Sequence, residues 1–206
     1  MNHIIIRKGH DIRIAGVLTQ EVIFVPGSET VAISPKTFRG VKPKLLVNEG
    51  DTVQIGSPLF LDKTKPNIKW ASPANGTVKK IQFGARRIIE KIEITVDGFD
   101  SIQGQSFTSE QLASLNRTTI LNRILEANLF PLIRQRPFNK VANPKDSPRD
   151  IFISAVNTAP LSVELEPVLE SEKMAFQAGV TALSKLTDGS VVVTSKKAIE
   201  LQHAEV

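Results

Sequence analysis

The sequence predicts a β plus α/β fold in 206 residues. An all-β unit spans about 1–105, a helical linker 106–148, and the start of a Rossmann-like α/β unit 149–206. Three observations predict it. Short apolar runs recur between turn residues over the first hundred positions, the pattern of a small barrel or sandwich. From about residue 108 the apolar spacing lengthens to that of helices. Beyond residue 150, two continuous apolar runs flank one helical face, as buried parallel strands flank a crossover helix.

Taken in order, Ile4-Ile5-Ile6, Val22-Ile23-Phe24-Val25, Val31-Ala32-Ile33 and Leu45-Leu46-Val47 are the expected early strands, and Ile88, Ile89, Ile92, Ile94 and Val96 fit a closing strand. Pro26-Gly27, Glu49-Gly50-Asp51, Pro73-Ala74-Asn75-Gly76 and Asp97-Gly98 are turns, because Gly supplies positive φ and Pro presets it. Thr108-Ser109-Glu110-Gln111 opens a short helix, and Thr119 or Thr118 caps a second that carries Ile120, Leu121, Ile124 and Leu125. The segment 134–148, with its prolines, reads as loop or linker. The run 151–156 is a buried strand. Pro167 opens a helix whose apolar face holds Leu169, Phe176, Val180, Leu183 and Leu186. Val191-Val192-Val193-Thr194 is the next buried strand, and the crossover is expected to be right-handed. Two parallel strands make no stable layer. Either earlier segments add strands or the chain is the first piece of a longer protein; the second is expected, and it would leave Phe176 or Leu183 exposed.

The formal net charge is +5, and it lies in the first half: residues 1–105 carry 15 Lys/Arg and 10 Asp/Glu, residues 106–206 carry 11 of each. The cations are Arg7, Lys8, Arg13, Lys36, Arg39, Lys42, Lys44, Lys79, Lys80, Arg86 and Arg87 among others. They suit a face for an acidic partner or an anionic membrane surface. They also suit the solvent side of ordinary short strands. There is no cysteine, which excludes disulfides, thiolate nucleophiles and cysteine-held metals within this chain. The three histidines, His3, His10 and His203, are dispersed, and His10 beside Asp11 reads as a surface pair. One Trp and no Tyr are too few for the stacking platforms of single-strand nucleic-acid binders, so no nucleic-acid partner is expected. No apolar run approaches the ~20 residues of a membrane-spanning helix, and no signal peptide is expected. No carboxylate pair, Ser/His/Asp set or metal cluster stands out, so no catalytic, cofactor-binding or metal residue is assigned.

The richest pattern is doubled. Residues 47–59 place Gly50, Asp51 and Gly56 around Val53, and residues 72–78 place Pro73 and Gly76 in a matching turn. Gly50 and Gly56 bracket a tight strand-turn-strand, and Asp51 is placed to bond back to turn amides. This pairing resembles the biotinyl/lipoyl-type hammerhead, a flattened barrel-sandwich of two similar halves, over about 40–96. Carrier domains hold a modified lysine at a hairpin tip between the halves. Here Lys63 occupies that interval, but seven residues after Gly56 and just before Pro66, so it is expected to be an ordinary hairpin lysine. A free-standing lysine-carrier domain is one alternative.

Other stretches narrow the resemblance. Arg39-Gly40-Val41-Lys42-Pro43, the hammerhead turns, Arg136-Pro137-Phe138-Asn139-Lys140, the segment 151–161 and the helix with Phe176, Gly179 and Leu183 together resemble the A subunit of the Na⁺-translocating NADH:quinone oxidoreductase. The C subunit of an Rnf-type electron-transport complex shares the domain order and is the other alternative. The resemblance implies a peripheral subunit on the cytoplasmic face of the bacterial inner membrane, within a sodium-pumping NADH:ubiquinone reductase. It implies as partners the other subunits, the quinone-binding membrane subunit first, with ubiquinone as a candidate ligand. It does not imply NADH binding. A dinucleotide needs a Gly-rich strand-to-helix turn, and Asn157-Thr158-Ala159-Pro160-Leu161 has no glycine. No cofactor is expected in this chain. Arg134, Arg136 and Lys140, with Lys145 and Arg149, suit an acidic partner surface or lipid headgroups, and equally a solvated linker. Phe138 is expected to anchor that linker on the core.

Overall fold

The structure, a computed structural model, describes residues 8, 9, 12, 14–16, 18, 19, 23, 25–196 and 199–204. The strand expected at Ile4-Ile5-Ile6 and the His10–Asp11 pair lie outside these residues, as do Arg7, Arg13, Val22 and Phe24. Ile23 and Val25, expected in a strand, are exposed and belong to none.

The β unit consists of β1 (Thr30–Ile33), β2 (Pro43–Leu45), β3 (Thr52–Val53), β4 (Pro58–Asp62), β5 (Lys65–Ala71), β6 (Gly76–Phe83) and β7 (Ile89–Val96). They form two antiparallel sheets, in the orders β1-β7-β6-β3 and β2-β4-β5. Inward residues of both sheets share one core: Val53, Val78, Ile81, Ile92 and Ile94 from the first, Leu59, Phe60, Ile68 and Trp70 from the second. Phe60 stacks on Trp70 at 4.8 Å between centroids, and Phe38 meets Trp70 edge-on at 5.2 Å. In β6 the register shifts between Val78 and Lys80. That bulge lets Lys79 and Lys80 both face solvent while Val78 and Ile81 both face inward.

Between the units come α1 (Ser109–Ser114) and α2 (Arg117–Glu126). Thr108 and Gln111 cap α1 reciprocally, a capping box. The cap of α2 is Asn116, a correction to the expected Thr118 or Thr119: Asn116 Oδ1 accepts the Thr119 amide at 2.9 Å and the Thr119 hydroxyl at 3.0 Å. Asn is as good a cap as Thr, and the threonines lie inside the first turn. The expected loop at 134–140 is a hairpin of β8 (Arg134–Gln135) and β9 (Lys140–Val141). Its cause is apolar: Phe130 and Val141 are buried in the sandwich core, with Ile133 and Ala142 packed against it. α2 and the turn holding Phe130 pack on β5, whereas α1 packs on a helix of the α/β unit.

That unit holds β10 (Ile151–Ser154), α3 (Glu166–Ser171), α4 (Lys173–Ser184) and β11 (Val191–Thr194). β10 and β11 pair in parallel, Ile151 opposite Val191 and Ser154 opposite Thr194. The single helix expected from Pro167 is broken at Glu172, whose φ of −112° and ψ of 24° leave the helical region. The strands expected to be buried on both faces are covered on one. Val191 and Val193 join Ala155 and Val180 in a small core, while Phe152 is 70% exposed. Helices cover only the first of those faces. Phe176 and Leu183, expected to be exposed, are half-buried.

Candidate functional site

The hammerhead residues singled out from sequence meet at one seam. The Gly50 amide donates to the Val78 carbonyl at 2.8 Å, and the Val78 amide to the Asp51 carbonyl at 2.9 Å. The Gly56 amide donates to the Ser72 carbonyl at 3.0 Å, and the Ser72 amide to the Ser57 carbonyl at 2.7 Å. The two similar stretches are thus zipped to each other. Asp51 Oδ2 accepts the Asn48 amide at 2.7 Å, and Glu49 Oε1 accepts the Ile81 amide at 2.7 Å. Gly76 has φ +149°, and a Cβ there would fall on the Thr95 carbonyl oxygen. Pro73 is exposed beside it. These residues build a scaffold and hold no reactive arrangement.

The cations gather where β4 turns into β5. Lys63 is exposed at that tip, its amide donating to the Lys42 carbonyl at 2.8 Å. Asp62, buried beneath, accepts the amide and hydroxyl of Thr64 at 3.0 and 2.9 Å. Lys65 Nζ reaches the Ala142 carbonyl at 3.5 Å, which ties this tip to the β8–β9 hairpin. Arg134 lies over the Phe38 ring at 5.1 Å, a cation–π contact. Arg136 and Lys140 are exposed, and among the described residues neither forms an ion pair. Phe138, expected to anchor on the core, is 62% exposed at the hairpin crest. The core is already filled there by Phe130 and Val141, so the crest projects its ring outward.

A second crest lies between β6 and β7; the sequence marks a hairpin at Phe83-Gly84-Ala85-Arg86, but not which residues make its turn. Gly84 looks like the turn glycine in the sequence, yet its φ is −95°. The positive φ values fall on Arg86 (56°) and Arg87 (57°). The Ile88 amide donates to the Ala85 carbonyl at 3.2 Å, closing a two-residue turn with both central residues left-handed. Asn-Gly is the usual occupant of such a turn. An arginine pair there stores strain of about 1 kcal/mol or more per residue.

In the α/β unit, Asp150 Oδ1 accepts the Ser190 amide at 3.1 Å and its Oδ2 accepts Arg149 Nε at 2.7 Å. The Ser190 amide, and then the guanidinium, hold this carboxyl below the usual range. Two amides of the turn after β10 bond locally: Asn157 Oδ1 accepts the Ala159 amide at 3.0 Å, and the Ser162 amide donates to the Ala159 carbonyl at 3.2 Å. Pro160 has no amide to offer. Among the described residues no three His, Asp or Glu side chains are grouped to hold a metal, and no helix is long and apolar enough to cross a membrane.

Fold and surface together define a barrel-sandwich hybrid joined to an α/β unit, with a cationic end bearing exposed aromatic crests. Two family models match in succession: the NqrA N-terminal barrel-sandwich hybrid domain over residues 4–97, and the NqrA second alpha/beta domain over 115–206. The chain belongs to the NqrA family. Among its relatives, the A subunit of a Na(+)-translocating NADH-quinone reductase from Klebsiella pneumoniae (strain 342) is 37% identical over 188 residues, which is 91% of this chain and 42% of the relative. Proteins of the same name from Marinomonas sp. (strain MWYL1) and Pseudomonas aeruginosa (strain UCBPP-PA14) are 37% and 33% identical, over 90% and 88% of this chain. The chain spans about two fifths of the length of these relatives.

Proposed function

We propose that this chain works as part of a peripheral subunit of a sodium-translocating NADH:ubiquinone oxidoreductase. It sits on the cytoplasmic face of the bacterial inner membrane and contributes to assembly and to the quinone-reduction step. It holds no cofactor or metal of its own and leaves NADH to another subunit. The observation that carries the docking role is the β8–β9 crest: Phe138 stands exposed between Arg136 and Lys140, which have no carboxylate partner among the described residues, on a hairpin anchored by buried Val141. An aromatic ring ringed by cations is the composition of an interface anchor. The turn after β10, with no glycine, no amide at Pro160 and the Ala159 amide bonded to Asn157, supports the absence of a pyrophosphate cradle. The partner that fits is a membrane subunit of the complex, close to its quinone.

Co-purification tests this. Wild-type protein, in its natural full length, should co-purify with the membrane subunits. Arg136→Ala/Phe138→Ala should lose about tenfold or more of that association, since an interface anchor is worth about 2 kcal/mol or more. Its melting temperature should be unchanged. Undiminished co-purification of the variant refutes the docking role.

A further inference from the structure

We propose that the β6–β7 crest, with the cationic end of the sandwich beside it, rests on an anionic lipid surface. This goes beyond the subunit contact assigned to the β8–β9 hairpin. Its test needs no partner subunit, so the two readings fail separately.

The crest presents two side chains of each kind. Phe83 is 46% exposed and Ile88 50% exposed, on either side of Arg86 and Arg87. Among the described residues neither arginine has an ion-pair partner. The nearby carboxylate, Glu90, is committed to Lys36 at 2.5 Å and to Gln82 at 3.4 Å. The left-handed backbone at both arginines holds the pair at the crest although Asn-Gly would fit the turn with less strain. The pattern then repeats. Lys36 and Phe38 flank the same short turn, Phe38 carries Arg134, and the hairpin of Arg134 ends in Phe138 between Arg136 and Lys140. Two crests thus share one composition, exposed apolar side chains bordered by cations.

A lipid surface suits this arrangement better than an acidic protein does. The four side chains of this crest, Phe83, Arg86, Arg87 and Ile88, fall far short of the roughly 800 Å² that a protein contact standing alone needs from each partner, whereas the β8–β9 crest is one anchor within a larger subunit contact. The headgroup layer accepts single apolar side chains to a shallow depth, and its phosphates take guanidinium groups at no cost in shape complementarity. Anionic leaflets attract each nearby Lys or Arg.

Sedimentation with vesicles decides it. The chain should bind phosphatidylcholine vesicles in which about one lipid in three is phosphatidylglycerol, should not bind pure phosphatidylcholine, and should be released as salt shortens the screening length. Arg86→Gln/Arg87→Gln should lower partitioning about thirtyfold at low salt. Arg86→Lys/Arg87→Lys should stay within about threefold of wild type, because the charge is kept. Ile88→Ser should lower it about threefold or more, which a purely ionic contact would not show. If the arginine double variant does not fold, the Ile88→Ser variant of the same crest carries the prediction on its own. No binding to the anionic vesicles, equal binding to neutral ones, or full binding by the glutamine variant overturns the proposal. So does displacement by polyglutamate with Ile88→Ser behaving as wild type, since that describes a site for acidic protein.

Discussion

At the scale of single residues, the fold rests on close approaches rather than on reactive groups. Gly76 and Gly40 separate two effects that sequence alone merges. Both have positive φ, +149° and +79°, but a Cβ at Gly76 would strike the Thr95 carbonyl whereas Gly40 has open space around it. Gly76→Ala should therefore lose about 3 kcal/mol or more, combining backbone strain with a displaced strand. Gly40→Ala should lose only about 1 kcal/mol. Trp70, the one tryptophan, is buried in the same core and reports both unfolding midpoints by its fluorescence in urea. Equal losses at the two sites would mean that Thr95 yields freely and that the seam is not tightly packed. Gly50, Gly56 and Gly76 were legible in sequence because turns need such residues. Arg86 and Arg87 were not, because nothing in an Arg-Arg pair announces a left-handed turn.

Among elements, those driven by local rules matched expectation and those driven by tertiary burial did not. The helix start at Thr108 and the closing strand at 89–96 follow from nearest-neighbour chemistry. The β8–β9 hairpin was hidden under cations and prolines, since what orders it is Val141 and Phe130 entering a core made of residues far earlier in the chain. Phe138 was misplaced for the same reason: its neighbours had already filled the core. The α/β unit depends on the turn that joins the end of α4 to β11, where Asp150 receives the Ser190 amide. Its pKa is lowered in the folded state, so its stabilising contribution is complete above about pH 4, the value of an unfolded carboxyl. It is lost as the pH falls from there through the lower folded pKa. Asp150→Asn should flatten that part of the acid unfolding curve, read by amide exchange in 151–154 and 191–194. An unchanged curve would show that the bond does not persist in solution.

For the whole molecule, the two cores differ in kind. The sandwich closes on itself and recruits α2 and the β8–β9 hairpin; the α/β core is small and leaves Phe152 in solvent. The sequence pattern carried the change from strands to helices near residue 108 but not where the cores divide, since α2 and the β8–β9 hairpin beyond that point join the sandwich. It did not carry the coverage of the parallel strands, since a continuous apolar run looks the same whether one face or two are buried. In the proposed function the cationic end of the sandwich is the docking end. A photo-crosslinking residue placed at Phe138 in the assembled, full-length complex tests it most directly, with the exposed loop residue Gln103 as control. Docking through this end gives adducts from position 138 to a membrane subunit and none from position 103. Adducts from 103 alone, or from neither position, would contradict it.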